Sequence, residues 1–254
     1  MKSLKKRING GELTIGSWIT ISSPENVEVM GQFGFDWLTV DMEHSMITLP
    51  QAQQLVRTIK SMNIPALVRV EENNANNIKR VMDLGADGII VPMVLSKEGA
   101  QRAVEAVKYP PQGIRGVGLT RAQGYGFKFD SYKEWVKRES IVIAIIEHYK
   151  AVDHLEEILS VDGIDATMIG PYDLSGSMGY PGEYKRKNVA DQIARYLKVS
   201  KALNKPAGFH VVPPVAKQVD EKIRRGFKFL AFGTDALFLG TKIKEQLRMV
   251  KKLK

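Results

Sequence analysis

The chain contains no cysteine among its 254 residues. Disulfide bonds, thiolate metal sites and a cysteine nucleophile are therefore excluded. No apolar run is long enough to cross a membrane. The basic residues 1–11 are not followed by an apolar segment of the kind found in secretory signals, so secretion is not expected. We expect a cytoplasmic protein that does not bind membranes.

The formal net charge of +9 raises the question of nucleic-acid binding. Much of the positive excess lies at the two ends of the chain, in residues 2–7 and 242–254. No basic strand with interleaved aromatic residues and no recognition-helix pattern accompanies it, so nucleic acid is not an expected partner. A positive field would instead favour an anionic small molecule.

Four segments share a pattern in which a glycine precedes a short apolar run that ends in polar or small residues. They are residues 34–41, 85–92, 163–170 and 226–233. The pattern is typical of a helix that ends at glycine and is followed by a buried parallel strand.

Four further apolar segments, residues 14–20, 65–70, 141–147 and 206–211, bring the number of candidate strands to eight. Helical patterns separate most of them, and the length is close to the roughly 250 residues typical of a (β/α)8 TIM barrel. We therefore predict an α/β protein in which residues 1–254 form one barrel domain. An open doubly wound sheet is disfavoured because no Gly-x-Gly-x-x-Gly turn follows the first strand.

The C-terminal ends of barrel strands carry the active site in this fold. Residues Asp41, Glu43 and His44 follow the second strand. We interpret His44 as functional. Asp41 or Glu43 could instead cap the next helix or form an ion pair, and for Asp41 this structural role is as well supported as a functional one. Arg69 ends the third strand and needs an anionic partner, either a bound substrate or a nearby acid such as Asp41, Glu71 or Glu72.

Glu147 and Asp173 follow the fifth and sixth strands, so their carboxylates should lie near each other. Two such groups repel unless they share a cation or a proton. The pair therefore indicates either a Mg²⁺ or Mn²⁺ site or a metal-free acid–base pair, and His148 as a third ligand would favour a transition metal. A Schiff-base mechanism is disfavoured because no lysine lies near the C-terminal end of a strand.

Longer motifs occur in a characteristic order along the chain. They are Gly34-Phe-Asp-Trp followed by Asp41-x-Glu-His44, then Val91-Pro-Met-Val94, the segment from Tyr109 to Gly118, and Ile169-Gly-Pro-x-Asp-Leu-Ser175. Through these motifs the chain resembles the HpcH/HpaI aldolase family, which comprises metal-dependent class II pyruvate aldolases built on an α/β barrel. The resemblance covers nearly the whole chain, from Gly16 to about Gly240.

The resemblance implies roles for particular residues. Glu147 and Asp173 match the family's metal-binding carboxylates, and Arg69 matches the arginine that binds pyruvate and stabilises its enolate. Tyr172 stands where the family places a backbone amide near bound pyruvate, beside Asp173. His44 matches the histidine that transfers protons.

Asp83 matches the aspartate that the family pairs with this histidine. Nothing in the periodicity around Asp83 indicates a functional role, and its position alone predicts a surface residue at the end of a helix.

These roles imply cleavage or formation of the C3–C4 bond of a 4-hydroxy-2-oxo acid, which gives pyruvate and an aldehyde through a metal-stabilised enolate. The expected cofactor is a divalent metal ion, Mg²⁺, Mn²⁺ or Co²⁺, without an organic cofactor. One alternative uses the same site for oxaloacetate decarboxylation and transfer of the enolate to another acceptor. A second alternative is a barrel that binds ligands without catalysis.

Some positions depart from the family pattern, and the resemblance also carries an expectation about assembly. Ile145, His148 and Tyr172 replace residues that are commonly Gln, Thr and a small residue, which leaves the aldehyde open. The family implies a homo-oligomer, a hexamer or a trimer, that exchanges the C-terminal helix, here residues 241–254; a final helix packed on its own barrel is the alternative. The glycine-rich loop 115–125 is predicted to help close the pocket, either in its own subunit or across a subunit boundary.

Overall fold

The computed structural model describes residues 2–253 and contains eight parallel strands that close into a barrel in chain order. Each strand pairs with its neighbours in the sequence, and β1 pairs with β8. The strands are β1 Thr14–Ile19, β2 Trp37–Asp41, β3 Ala66–Arg69, β4 Gly88–Val91, β5 Ile141–Ile146, β6 Ala166–Ile169, β7 Ala207–Val211 and β8 Phe229–Thr234. The predicted (β/α)8 barrel is confirmed.

Helices surround the strands and run back along the outside of the barrel. They are α1 Leu4–Asn9, α2 Pro24–Gly31, α3 Leu49–Ser61, α4 Ala75–Asp83, α5 Lys97–Val107, α6 Phe129–Glu139, α7 Tyr149–Asp153, α8 Leu155–Leu159, α9 Pro171–Ser177, α10 Lys187–Ala202, α11 Ala216–Arg225 and α12 Asp235–Val250, with a 3₁₀ turn at Arg121–Gln123. Within residues 2–253 no helix combines the length and apolar character needed to span a bilayer.

The four glycines that the sequence places between helix and strand all adopt the left-handed conformation. Their φ angles are 79° at Gly34, 105° at Gly85, 95° at Gly163 and 104° at Gly226. Residues with a Cβ are strained in this region, whereas glycine is not. The repeated glycine pattern therefore reflects a real turn geometry at each of these four connections.

The basic segment at residues 1–11 contains a helix that the sequence analysis did not predict. Leu4 and Ile8 of α1 are buried and join the cluster inside the barrel, which includes the stacked rings of Trp37 and Phe229. Trp37 and Phe229 begin their strands, so α1 closes the N-terminal end of the barrel. Burial of Ile8 alone contributes roughly 1.5–3 kcal/mol. The surrounding lysines hid this two-residue apolar pattern in the sequence.

The C-terminal helix also differs from its predicted bounds. It begins at Asp235, directly after β8, and the predicted helix 241–254 forms only its second half. The Asp235 carboxylate is buried, and it accepts hydrogen bonds from the backbone amides of Thr20 and Ile21 and from the Asn26 side chain. Beyond this anchor, residues 241–250 are exposed along their whole length in the single chain.

Candidate active site

Residues that end the second and third strands form a close ion pair at the C-terminal end of the barrel. Asp41 and Arg69 are register partners, and the Arg69 Nε and Nη2 atoms lie 2.9 Å and 2.6 Å from the two Asp41 oxygens. Asp41 Oδ1 also accepts the backbone amides of Glu43 and His44. Burial opposes ionisation of Asp41, but the hydrogen bonds and charge of Arg69 outweigh it and keep the pKa of Asp41 below its ordinary value. Asp41 is thus the ion-pair partner of Arg69, whereas the expectation that it caps the next helix is wrong, because Thr48 is the N-cap of α3.

Glu43 also belongs to this group, although the sequence did not identify it as a site residue. Its Oε2 atom lies 3.2 Å from Arg69 Nη1 and is buried without a hydrogen bond of good geometry. Burial raises the pKa of Glu43 to about 7, the charge of Arg69 opposes the shift, and the charges of Asp41 and Asp173 add to it. Glu43 lies two residues beyond Asp41, so in an extended segment both side chains point to the same side. This spacing could have indicated that Glu43 faces the site.

Glu147 is held in a defined orientation just beyond β5. Its Oε1 atom accepts the Met93 backbone amide at 2.7 Å, and Met93 has a φ of 52°, which is unusual for a residue with a side chain. A Cβ at Gly170 would lie 2.7 Å from the Glu147 Cβ and 3.0 Å from its Oε2. The position after β6 therefore needs glycine, because any side chain would displace this carboxylate.

The electrostatics of these carboxylates fit a bound cation. Burial raises the pKa of Glu147 to about 7, and the charges of Glu43 and Asp173 raise it further against the opposing effects of the Met93 amide and Arg69. In the part of the chain that the structure describes, no three acidic or histidine side chains enclose a single position. Glu147 and the exposed Asp173 are two carboxylates that could hold Mg²⁺ or Mn²⁺, ions that retain waters and bind substrate oxygens.

His44 and Asp83 do not meet within one chain. His44 is exposed at the C-terminal end of the barrel, where its Nε2 lies 3.8 Å from Glu43 Oε2. Asp83 ends α4, which runs back from that rim, and it accepts hydrogen bonds from Arg115 Nη2 at 2.6 Å and Gln123 Nε2 at 3.3 Å. A four-residue strand alone spans about 13 Å, so the two side chains lie at opposite ends of the barrel.

The loop predicted to close the pocket is placed with Asp83 and not at the rim. Its Thr120 hydroxyl donates to the Asp83 carbonyl oxygen, and the Arg121 Nη1 donates to the Leu84 carbonyl. The loop therefore does not cover the site of its own chain. Of the two predicted arrangements, only closure across a subunit boundary remains, as a prediction.

Three other positions that the sequence marked have distinct environments. Tyr172 is partly exposed beside the rim, and its ring centroid lies 5.1 Å from that of Tyr184. The Nδ1 atom of His148 accepts the Lys150 backbone amide and caps α7, so this atom is engaged in helix capping and not free as a metal ligand. Ile145 faces the interior cluster, two residues before Glu147.

Trp18 and His210 complete the inner wall on the other side of the barrel, and neither was predicted as a site residue. The Arg69 guanidinium carbon lies 4.4 Å from the centre of the Trp18 ring, a cation–π contact. The His210 ring lies 5.5 Å from Trp18, and its Nε2 atom is 3.2 Å from the Gly233 carbonyl oxygen. The inward position of His210 on β7 was the signal that could have revealed it.

Comparison with known proteins identifies the family of the chain. The family model described as HpcH/HpaI aldolase/citrate lyase matches residues 14–239. The chain is 33% identical over 249 residues to a 2-keto-3-deoxy-L-rhamnonate aldolase of Escherichia coli K12, covering 97% of this chain and 92% of that protein. It is 34% identical over 244 residues to a hydroxypyruvate/pyruvate aldolase of Roseobacter denitrificans, covering 95% and 94%.

A solved structure of an HpcH/HpaI aldolase/citrate lyase family protein from Burkholderia cenocepacia superposes with a TM-score of 0.93 at 27% identity, covering 98% of each chain. The chain belongs to the HpcH/HpaI aldolase/citrate lyase family, as its motifs indicated. It is an enzyme of the aldolase type, a carbon–carbon lyase.

Proposed function

We propose that the enzyme cleaves or forms the C3–C4 bond of a 4-hydroxy-2-oxo acid, with a 2-oxo acid of the pyruvate type and an aldehyde as the other reaction partners. The observation that carries this proposal is the arrangement of Arg69 between Asp41 and Glu43, close to Glu147. A guanidinium fixed by Asp41 and placed beside Glu43 and Glu147, whose pKa values are raised to about 7, is suited to an anionic substrate bound together with a cation. The names of the two related aldolases support the same substrate class.

Glu147 and Asp173 would hold a divalent cation, Mg²⁺ or Mn²⁺. When bound, this cation supplies Lewis-acid polarisation of the ketone. Arg69 binds the oxygen that gains negative charge as the enolate forms, and its position is fixed in advance by Asp41. Tyr172 and Asp173 lie in the first turn of α9, which begins at Pro171, and their backbone amides can bind the carboxylate of the substrate.

His44 is the proton-transfer residue in this proposal. In the cleavage direction a base removes the proton from the C4 hydroxyl, the C3–C4 bond breaks, and C3 of the resulting enolate is protonated. An imidazole can both accept and donate a proton, so a histidine is suited to both steps. Its exposed position at the rim lets it reach a substrate from the solvent side.

We further propose that the working enzyme is a homo-oligomer, a hexamer or a trimer. The pairing of His44 with Asp83 that the family implies cannot form within one chain, because the two lie at opposite ends of the barrel. It can form only if the N-terminal end of one barrel meets the rim of another. Exposed apolar residues lie on the loop that contacts Asp83, namely Ile114, Val117, Leu119, Tyr125 and Phe127, which fits a surface covered in an assembly.

Exchange of the C3 hydrogens of pyruvate with deuterium in D₂O tests the proposed enolate directly. With Mn²⁺ or Mg²⁺ present, the native enzyme should catalyse this exchange, and the exchange should be absent in the Glu147→Gln variant. A panel of aldehydes then reports carbon–carbon bond formation, and oxaloacetate reports decarboxylation. Turnover of oxaloacetate without consumption of any aldehyde would favour the decarboxylase alternative, and no exchange at all would refute the enolate mechanism.

A further inference from the structure

The imidazole of His210 faces the interior of the barrel near its catalytic end. Its sequence neighbours Phe209 and Val211 pack in the outer core between strands and helices, so the alternation of the strand directs His210 inward. The ring is tilted against Trp18, which in turn lies under the Arg69 guanidinium. His210 is therefore connected to the substrate-binding arginine through a single aromatic ring.

The hydrogen bond of His210 fixes which of its ring nitrogens carries the proton. The partner of Nε2 is the carbonyl oxygen of Gly233, which can only accept, so Nε2 must donate. Burial lowers the pKa of His210 to about 4, the Gly233 hydrogen bond opposes this shift, and the charge of Arg69 lowers the pKa further. The ring is neutral at pH 7, and its Nδ1 atom can only accept a hydrogen bond. Because the hydrogen bond to Gly233 is made by Nε2, it leaves Nδ1 available as an acceptor.

The order of strands places His210 opposite the charged residues. Asp41, Arg69 and Glu147 come from β2, β3 and β5, and Asp173 follows β6. His210, Gly233 and Trp18 come from β7, β8 and β1, which are adjacent in the closed barrel. A 2-oxo acid whose carboxylate and ketone oxygens face the charged half therefore directs its C3 atom toward the half that contains Trp18 and His210.

We propose that His210 Nδ1 accepts a hydrogen bond from a hydroxyl group on C3 of the 2-oxo acid, so that the enzyme prefers a 3-hydroxy-2-oxo acid to pyruvate. This inference rests on the proposed function and specifies its substrate class. The methyl group of pyruvate has no donor and leaves Nδ1 unpaired, whereas a hydroxyl satisfies it. Sites built to bind a hydroxyl discriminate strongly against analogues that lack it.

The chemistry needs no additional reactant. One proton leaves C3, the new bond joins C3 to the carbonyl carbon of the aldehyde, and the aldehyde oxygen takes up a proton. The C3 hydroxyl is retained throughout and is neither oxidised nor eliminated. His210 acts only by binding this hydroxyl, so it is a specificity residue and not a proton carrier.

Deuterium exchange at C3 of pyruvate and of 3-hydroxypyruvate, measured with the same enzyme and metal, tests the proposal. The native enzyme should favour 3-hydroxypyruvate by about 10-fold or more in kcat/KM. His210→Leu should remove most of this preference, measured as the ratio of the two kcat/KM values, and His210→Gln, which keeps an acceptor oxygen, should restore part of it. His154→Leu is the control, because His154 is an exposed histidine far from the barrel interior.

A spectroscopic measurement follows the same hydrogen bond without turnover. Nitrogen NMR of the native enzyme should show the Nε2-protonated ring of His210, and 3-hydroxypyruvate should shift the Nδ1 resonance while pyruvate should not. This measurement and His210→Gln decide the matter if His210→Leu does not fold. The proposal would be overturned if the variants kept the native preference for 3-hydroxypyruvate. It would also be overturned if 3-hydroxypyruvate did not shift the Nδ1 resonance.

The two proposals can fail separately. If the native enzyme exchanges the C3 hydrogens of neither acid, the proposed function is refuted. The role of His210 is then decided by calorimetry, which measures the affinity of each acid for the native protein and for His210→Leu. Equal affinities in both proteins would refute it as well. Exchange of both acids with a preference that does not depend on His210 would refute the specificity role alone.

Discussion

The Arg69 guanidinium makes a two-point contact with the Asp41 carboxylate, with Nε 2.9 Å from Oδ1 and Nη2 2.6 Å from Oδ2. Two parallel charge-assisted hydrogen bonds fix the plane of the guanidinium as well as its position. Its remaining edge, Nη1, then faces Glu43. Asp41 is therefore a positioning residue, and the substrate-facing geometry of Arg69 depends on it.

The first prediction is that Asp41→Asn lowers the enolisation rate by about 10- to 100-fold, because one of the two contacts is lost and the guanidinium can rotate. The loss should appear mainly in kcat, with a smaller change in KM, when deuterium exchange is measured over a range of substrate concentrations. Asp36→Asn is a matched control, since Asp36 binds Arg7 at 2.7 Å at the other end of the barrel. Equal losses of activity in both variants would indicate a general effect on folding instead.

The second prediction concerns the cation. Glu147→Gln and Asp173→Asn should each weaken Mn²⁺ binding by at least about 100-fold, because removal of a ligand costs more than removal of an outer-shell partner. Calorimetric titration measures the affinity, and circular dichroism checks that the fold is intact. Glu157→Gln serves as the control, since Glu157 is a largely exposed glutamate on α8. Native Mn²⁺ affinity in both ligand variants would rule out this assignment.

The barrel itself was predictable because its signals are local. Each buried strand is a short apolar run preceded by a glycine or a turn, and the glycines at positive φ mark the turns directly. The rim positions of Arg69, Glu147 and Asp173 were predictable for the same reason, since polar residues at the ends of such runs lie at the common rim.

Other features depend on contacts between distant parts of the chain, which periodicity does not encode. The role of Glu43 depends on Arg69 and Asp173, and the environment of His210 depends on Trp18 and on the Gly233 carbonyl. Helix α1 is short, and its lysines masked the two residues that enter the barrel. Asp83 lies far from the rim because α4 runs back from it. This position could be inferred only once the order of the strands was known.

The third prediction addresses His44 and Asp83. Alone, the His44→Asn and Asp83→Asn variants should be nearly inactive, since each lacks one member of the proposed pair. When they are refolded together, sites with His44 from one chain and Asp83 from another should recover about a quarter of native activity by random assembly. Asp83→Asn keeps a side chain that can still accept a hydrogen bond from Arg115, which limits damage to the fold.

The control for this mixing experiment pairs His44→Asn with a chain that carries both substitutions. That mixture contains no chain with His44 and should stay inactive. If the two single variants also fail to complement each other, the pairing across subunits is refuted.

The fourth prediction is a pH dependence of stability that His210 causes. Its pKa is about 4 in the folded protein, against an ordinary value of 6.5, so between these values the unfolded chain binds more protons. The contribution to the free energy of unfolding is therefore fully present above pH 6.5 and is lost as the pH falls toward 4, by up to about 3 kcal/mol. The raised pKa values of Glu43 and Glu147 act in the opposite direction, so native protein alone does not isolate this effect.

The difference between the native protein and His210→Leu does isolate it. Urea unfolding of both proteins between pH 4 and 7 should show a native advantage that shrinks as the pH falls, whereas the difference between native protein and His154→Leu should stay nearly constant. A native advantage that does not change with pH would show that His210 is not held neutral.

The fifth prediction concerns the exposed apolar stripe of α12, formed by Leu239, Ile243, Leu247 and Val250. These residues share one side of the helix at about 100° per residue, and 49–57% of each is exposed in the single chain. A second copy of the chain is the partner that the family resemblance implies. Ile243→Glu combined with Leu247→Glu should therefore dissociate the assembly, because burial of two carboxylates in an apolar interface is strongly unfavourable.

Analytical ultracentrifugation measures this outcome. Native protein should sediment as an oligomer, the double variant as a smaller species, and Thr241→Glu, which adds a charge on the opposite side of α12, should behave as the native protein does. Deuterium exchange should fall together with dissociation, because each site then loses the Asp83 of its neighbour. A native protein that sediments as a monomer at assay concentration and is fully active would refute both the interface and the pairing of His44 with Asp83 across subunits.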